Sequence, residues 1–182
     1  MDTEIVNIKD ILLVEDDPQD RELTLAALEE LHLANRVAVV DNGAETLDYL
    51  YHRGKFKVRA PGNPVVVLLD NKMPKVNGLE VLKVIKADVQ LKFIPVVVLS
   101  SSRETPGLVE CYQHGVNAYV VKPVDFVDFM RAVKQLGIFW AAINEPPPAG
   151  RKETSIQSRQ AISPGRKEIT NEIPAPHPAL GG

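Results

Sequence analysis

The segment PVVVLLDNKMP, residues 64–74, decides the fold of this chain. Five apolar residues, Val65 to Leu69, follow one another without a polar break and end at Asp70. A run this short and this uniformly apolar is typical of a β-strand buried on both faces, and such strands belong to parallel sheets covered by helices. The segment therefore predicts an α/β fold in which Asp70 lies at the carboxyl end of a buried strand.

Four more short apolar segments alternate with amphipathic stretches along the chain. This alternation predicts a doubly wound, five-stranded parallel sheet built from five βα units, with helices on both faces. The other predicted strands are Ile11–Val14, Val37–Val40, Val96–Leu99 and Ala118–Val121.

Short polar residues mark the predicted helix starts. Asp17 precedes Pro18, which favours a helix N-cap over the alternative, a metal ligand. Asn42 precedes a glycine, as in a hairpin, but apolar residues follow at helical spacing and favour a helix cap there too. Two further caps are predicted at Asn77 and Asp125. The fourth helix, over about 104–113, has the weakest signal.

The composition changes near Glu145. Seven of the fourteen prolines lie beyond it, in a segment without aromatic residues and with few large aliphatic ones. Such a segment cannot bury enough apolar surface to offset chain entropy. We therefore expect an N-terminal extension over 1–8, one folded domain over 9–144, and a disordered Pro-rich tail over 145–182. The tail is interpreted as a spacer, with partner contact as the alternative.

Composition also narrows the functional classes. The net charge of −3 carries no acidic or basic block, so nothing points to nucleic acid or an anionic membrane as the main partner. A lone Cys111 and the lack of a signal peptide favour the cytoplasm, and no apolar run is long enough to cross a membrane. The Pro-rich tail cannot build a helix-turn-helix, so we expect no DNA-binding domain.

The predicted strand ends bring chemistry to one edge of the sheet. Ligands of open parallel sheets bind beyond the carboxyl ends of the strands. Acidic residues gathered there repel one another, and a hard divalent cation relieves this, with Mg²⁺ as the best fit. With a hydroxyl and an ammonium nearby, a carboxylate nucleophile suggests phosphoryl transfer. The residues expected at this edge are Glu15, Asp16 and Asp17, then Asp70, Ser100 and Lys122.

Four segments resemble, in order, the signature segments of response-regulator receiver domains. They are VEDD at 14–17, LLDNKMP at 68–74 followed by Gly78, VLSS at 98–101, and YVVKP at 119–123. The resemblance covers about Lys9 to Ile143. It implies a flavodoxin-like receiver fold and a phosphoacceptor signalling protein, not an enzyme. Such a protein receives its phosphoryl group from a histidine kinase and then changes its surface for partner binding.

The resemblance assigns the metal and acceptor roles. Asp70 matches the phosphoacceptor and a metal ligand, and Glu15 and Asp16 match the acidic pair, in which Asp16 binds Mg²⁺ directly and Glu15 mostly through water. The third protein contact to the metal would be the backbone carbonyl of Lys72. Because that ligand belongs to the main chain, the unusual Asn71-Lys72 pair should not abolish metal binding.

The resemblance also assigns the switch. Ser100 matches the switch hydroxyl, and Tyr119 matches the aromatic residue that changes rotamer with it. Lys122 matches the phosphate-binding lysine, and a cis peptide bond would precede Pro123.

Two features resemble the small, stand-alone regulators of phytochrome-type histidine kinases. One is the long connection over 52–63 and the other is Phe139-Trp140 near the end of the last helix. The alternative is a tolerated surface insertion and aromatics that complete the core. Because Ile138 and Ile143 make that helix end apolar on more than one side, we expect a homodimer through the fifth-helix face.

Two other classes of function compete with this interpretation. The first is a constitutive interaction module that no longer accepts phosphate. The presence of Asp16, Asp70 and Lys122 argues against it. The second is an enzyme acting on a diffusible phosphorylated substrate or nucleotide. No glycine-rich phosphate loop follows the first strand, which argues against this second class.

Overall fold

The computed structural model describes residues 10–74, 76–103 and 105–146. Within these residues, five parallel strands form one sheet in the order β2-β1-β3-β4-β5. The predicted sheet is therefore confirmed, and β3 and β4 each run one residue further than predicted, to Asp70 and Ser100. The strands are β1 Ile11–Val14, β2 Val37–Val40, β3 Val66–Asp70, β4 Val96–Ser100 and β5 Ala118–Val121.

Five α-helices cover the two faces of this sheet in the described part of the chain. They are α1 Pro18–Glu29, α2 Gly43–Leu50, α3 Gly78–Ala87, α4 Thr105–Gln113 and α5 Phe126–Ile138. Alternate strand residues point to opposite faces, so the core forms two clusters. One cluster packs the sheet against α2, α3 and α4. The other packs it against α1 and α5.

The helix caps are as predicted. The Asp17 carboxylate accepts hydrogen bonds from the backbone N–H groups of Gln19 (2.8 Å) and Asp20 (3.0 Å), which confirms the cap interpretation. Asn42 caps α2, Asp125 caps α5, and Asn77 forms a reciprocal capping box at the start of α3. These bonds satisfy backbone donors that the first helical turn leaves unpaired.

Two local features differ from the sequence expectation or add to it. The described residues contain no cis peptide bond, so the expectation of a cis bond before Pro123 is wrong. The trans isomer is the ordinary preference of an X–Pro bond. A π-helical turn, Phe139–Ile143, continues from α5 and was not predicted.

The predicted N-terminal extension over 1–8 and nearly all of the predicted tail lie outside the described residues. No helix within those residues has both the length and the apolar character that a membrane span requires.

Candidate functional site

The acidic residues at the ends of β1 and β3 meet at the carboxyl edge of the sheet. Carboxylate oxygens of Glu15, Asp16 and Asp70 all lie within 4.8 Å of one another. Glu15 is only 1% exposed and Asp70 only 5% exposed. Three carboxylates held this closely, two of them buried, create a strongly negative pocket that favours a cation.

Lys122 supplies positive charge to this pocket from the residue after β5. Its Nζ donates to Glu15 Oε2 at 2.8 Å and lies 2.7 Å from Asp70 Oδ1. It also donates to Asp20 Oδ2, on α1, at 2.7 Å. The backbone N–H of Lys122 donates to the carbonyl oxygen of Ser100 at 2.7 Å, and this bond fixes the position of the Lys122 backbone.

Burial and ion pairing have opposite effects on these groups. Burial raises the pKa of Glu15 to about 6, although the hydrogen bond from Lys122 acts to lower it. Burial by itself lowers the pKa of Lys122, but hydrogen bonds to Asp20, Asp70 and Glu15 outweigh it and raise the pKa above its ordinary value. Lys122 is therefore a permanent cation at neutral pH.

The backbone after β3 holds the Asp70 carboxylate in place. The backbone N–H of Lys72 donates to Asp70 Oδ2 at 2.7 Å, and the N–H of Asn71 donates to the carbonyl oxygen of Leu99 at 2.9 Å. The start of α3 packs against this turn so closely that a Cβ at Gly78 would overlap the carbonyl oxygen of Asp70. Only glycine fits at that position.

The side chains of Ser100 and Tyr119 are linked through the backbone of Ser102. The fully buried Ser100 Oγ accepts a hydrogen bond from the backbone N–H of Ser102 at 3.2 Å. The Tyr119 hydroxyl donates to the carbonyl oxygen of Ser102 at 3.3 Å. Because both side chains bind the same backbone segment before α4, a movement of Ser100 would disturb the contact of Tyr119.

Sequence reasoning missed two residues of this site. Asp20 contacts Lys122, and Ser102 links Ser100 to Tyr119. An acidic residue in the first turn of a helix that begins beside the acidic edge was a usable signal for Asp20. For Ser102, whose backbone makes both contacts, residue type carries no signal. Asp17, the alternative ligand, is outside the three-carboxylate cluster and serves as a cap.

The donor set fits a hard divalent cation. Glu15, Asp16 and Asp70 offer only carboxylate oxygens, and the cluster lies at a sheet edge where a small ion can keep its water ligands. No soft sulfur or imidazole ligand belongs to this cluster of described residues, so the chemistry favours Mg²⁺-like over Zn²⁺-like ions.

The family model for the response regulator receiver domain matches residues 11–134. The chain belongs to this family. The match spans all five strands and every residue of the acidic pocket, so the family predicted from the four sequence segments is confirmed. This protein is a two-component response regulator.

Solved structures of phytochrome response regulators resemble the chain closely. The bacteriophytochrome response regulator RtBRR is 58% identical, with a TM-score of 0.62 over 78% of this chain and 86% of that one. The phosphorylated cyanobacterial phytochrome response regulator RcpA is 36% identical, with a TM-score of 0.72 over 77% of this chain and 99% of that one.

A third relative has been solved with a metal. Response regulator Rcp1 of Synechocystis is 33% identical over 72% of this chain and 88% of its own length. The structure of its Mn²⁺-bound form has a TM-score of 0.68 at 32% identity, over 76% of this chain and 99% of that one. A relative with the same fold therefore binds a divalent metal ion.

Proposed function

We propose that this response regulator accepts a phosphoryl group from a histidine kinase on Asp70 and that phosphorylation changes its surface for partner binding. The observation that carries the proposal is the position of Asp70. Its buried carboxylate lies 2.7 Å from the Lys122 ammonium and within 4.8 Å of the Glu15 and Asp16 carboxylates. A nucleophile, a fixed cation and a metal-binding acidic pair are what phosphoryl transfer to a carboxylate requires.

Each residue has a defined task in the transfer. An Asp70 carboxylate oxygen forms a bond to phosphorus while the bond from phosphorus to the donor histidine nitrogen breaks. Lys122 neutralises charge on a phosphoryl oxygen, and Ser100 donates its hydroxyl to another. Glu15, Asp16, Asp70 and the backbone carbonyl of Lys72 would hold Mg²⁺. When bound, that ion supplies the remaining positive charge at the phosphoryl oxygens.

The surface change follows from the Ser102 contacts. When Ser100 turns to donate to the phosphoryl group, its hydrogen bond with the Ser102 N–H is lost, and Tyr119 loses its fixed partner at the Ser102 carbonyl. Ser102 lies three residues before the start of α4, and Tyr119 belongs to β5, so both changes reach the α4–β5 surface. The phosphoryl group biases this equilibrium because it adds about −1.5 to −2 charges at neutral pH.

The partners follow from the relatives and from the exposed apolar side chains. Similarity to RtBRR and RcpA supports a phytochrome-type histidine kinase as the phosphoryl donor. The exposed side chains of Ile138, Phe139 and Ile143 support a homodimer through the α5 face. The cytoplasm is the compartment in which such a kinase domain would meet this protein.

The test is the intact mass of the purified protein after incubation with acetyl phosphate, in the presence of Mg²⁺ or of a chelator. A Mg²⁺-dependent phosphoryl adduct is expected on the native chain and not on Asp70→Asn. Asp17→Asn is the matched control, because asparagine also caps helices and Asp17 lies outside the carboxylate cluster. An absent adduct, even with candidate kinases supplied, would instead favour a constitutive interaction module.

A further inference from the structure

We propose that Asp20 is a positioning residue for phosphoryl transfer, because its carboxylate holds the Lys122 ammonium in place beside Asp70. The inference rests on the proposed function and adds a fourth carboxylate to the site. Asp20 lies on α1, outside the group of carboxylates that could share a metal ion, and its side chain reaches across to the residue after β5.

The Lys122 ammonium has three hydrogens and three carboxylate partners. Asp20 Oδ2 and Asp70 Oδ1 each lie 2.7 Å from Nζ, and Glu15 Oε2 lies 2.8 Å from it. When Asp70 forms the acyl phosphate, its carboxylate loses its negative charge. One of the three N–H groups of the ammonium can then donate to a phosphoryl oxygen instead, while Asp20 keeps its own hydrogen bond to Nζ.

Asp20 differs from the other two partners of Lys122 because it would not bind the metal ion. Glu15 and Asp70 both belong to the three-carboxylate cluster, so a cation bound there competes with Lys122 for their oxygens. Asp20 is not a member of that cluster. When a metal is bound, the Asp20 carboxylate therefore stays available to hold Lys122 in place. A lysine has four rotatable side-chain bonds and needs such an anchor to stay in one geometry.

The start of α1 fixes Asp20 in turn. Asp17 accepts a hydrogen bond from the backbone N–H of Asp20 at 3.0 Å, and Pro18 begins the helix. Asp20 is thus held by its backbone while its carboxylate is used elsewhere. A general preference for acids in the first helical turn explains the residue type, but it does not explain a 2.7 Å contact with Lys122.

The test combines kinetics with the NMR signal of the Lys122 ammonium in the full chain, labelled with ¹⁵N-lysine and measured with and without Mg²⁺. In the native chain we expect a slowly exchanging ammonium signal that is absent from Lys122→Arg. Asp20→Asn should broaden that signal and slow the Mg²⁺-dependent phosphorylation by acetyl phosphate about tenfold, since a charged hydrogen bond is lost.

Two further variants separate positioning from charge and from folding. Asp20→Glu restores a carboxylate and should recover part of the rate and of the signal. Glu22→Gln removes the same charge from an exposed position of α1 and should behave as the native chain. The variants of Asp20 and Glu22 should keep the native melting temperature within a few degrees, because Asp20 is partly exposed and Glu22 is exposed.

Either a native rate or a native ammonium signal in Asp20→Asn would overturn the inference. If the native chain forms no adduct at all, the proposed function fails, but the ammonium signal still decides the role of Asp20. Its loss in Asp20→Asn would then support the anchor, and its persistence would refute it.

Discussion

At the scale of single residues, the electrostatics of the pocket depend on Lys122. Among the described residues it is the cation placed within hydrogen-bonding distance of Glu15, Asp20 and Asp70. Without it, Glu15 would be a nearly fully buried carboxylate with no counter-charge. Removing one partner of a buried ion pair costs more than the pair is worth, because the other charge stays desolvated.

Replacing Lys122 by methionine should therefore lower the stability of the metal-free protein by about 3 kcal/mol. It should also strengthen Mg²⁺ binding, because the ammonium no longer competes with the ion for carboxylate oxygens. The rise in melting temperature on adding Mg²⁺ should thus be larger in Lys122→Met than in the native chain. Thermal unfolding in chelator and in Mg²⁺ measures both effects.

A matched control for this prediction is Lys55→Met. Lys55 forms an ion pair with Glu45 at 2.9 Å on the surface, and such pairs contribute little to stability. This variant should melt close to the native temperature and respond normally to Mg²⁺. Equal Mg²⁺ responses of Lys122→Met and the native chain would contradict the assignment of Lys122 to the pocket.

Ser100 should couple phosphorylation to the surface without being needed for phosphorylation itself. Ser100→Ala removes the hydroxyl that binds the Ser102 N–H, but it leaves Asp70, Lys122 and the acidic pair in place. We expect the variant to form the phosphoryl adduct while its backbone amide NMR signals in α4 and β5 barely move. Ser100→Thr keeps a hydroxyl and is the control. A full spectral response of Ser100→Ala would show that the signal travels by another route.

At the scale of elements, the connection from β3 to α3 is the most tightly packed part of the site. Gly78→Ala would force its Cβ against the carbonyl oxygen of Asp70, so the strand end or the helix start must move. We expect a loss of about 2 kcal/mol in unfolding free energy and weaker Mg²⁺ binding. Chemical denaturation and calorimetric titration with Mg²⁺ would measure the two changes.

Gly107→Ala is the matched glycine substitution. A Cβ at Gly107, in the first turn of α4, would meet no atom within 4 Å. Alanine forms helix better than glycine, so this variant should gain up to about 1 kcal/mol. If Gly78→Ala lost no more stability than Gly107→Ala, close packing at Gly78 would not be the cause.

The elements that could be predicted from sequence are those fixed by local physics. The strands are short apolar runs, and β1, β2 and β5 begin and end where predicted. Asp17 caps α1 because a carboxylate one residue before a helix-starting proline finds free N–H donors wherever that helix packs. The weak signal of α4 reflects Pro106 and Gly107 in its first turn.

The unpredicted features depend on side-chain contacts that form only in the folded chain. Asp20 and Lys122 are 102 residues apart, and only the folded sheet edge brings them together. The contacts within the connection over 52–63 were not predicted either, although their partners are close in sequence. Arg59 lies over the Tyr49 ring and donates to the carbonyl oxygens of Tyr49 and Gly62, a set of contacts that no spacing rule supplies. Side-chain partners of this kind follow from topology and not from propensity.

At the scale of the whole molecule, apolar surface remains exposed along α5 and the turn that follows it. The inner side of α5 packs against the sheet through Phe129, Met130 and Val133. The side chains of Phe126 and Val127 near its start, and of Ile138, Phe139 and Ile143 at its end, are each more than two-fifths exposed. Aromatic and aliphatic side chains left in water on one element favour burial against a second surface.

A homodimer through this surface should be weakened by a charge placed in it. Ile143 is 62% exposed, so Ile143→Asp removes little packing within one chain, whereas in a dimer it would bury an unpaired carboxylate. We expect light scattering to give a dimer mass for the native chain and a monomer mass for Ile143→Asp at the same concentration. Val58→Asp, at an exposed apolar residue of the connection over 52–63, should remain dimeric. A native chain that is monomeric both with and without phosphorylation would rule out this interface.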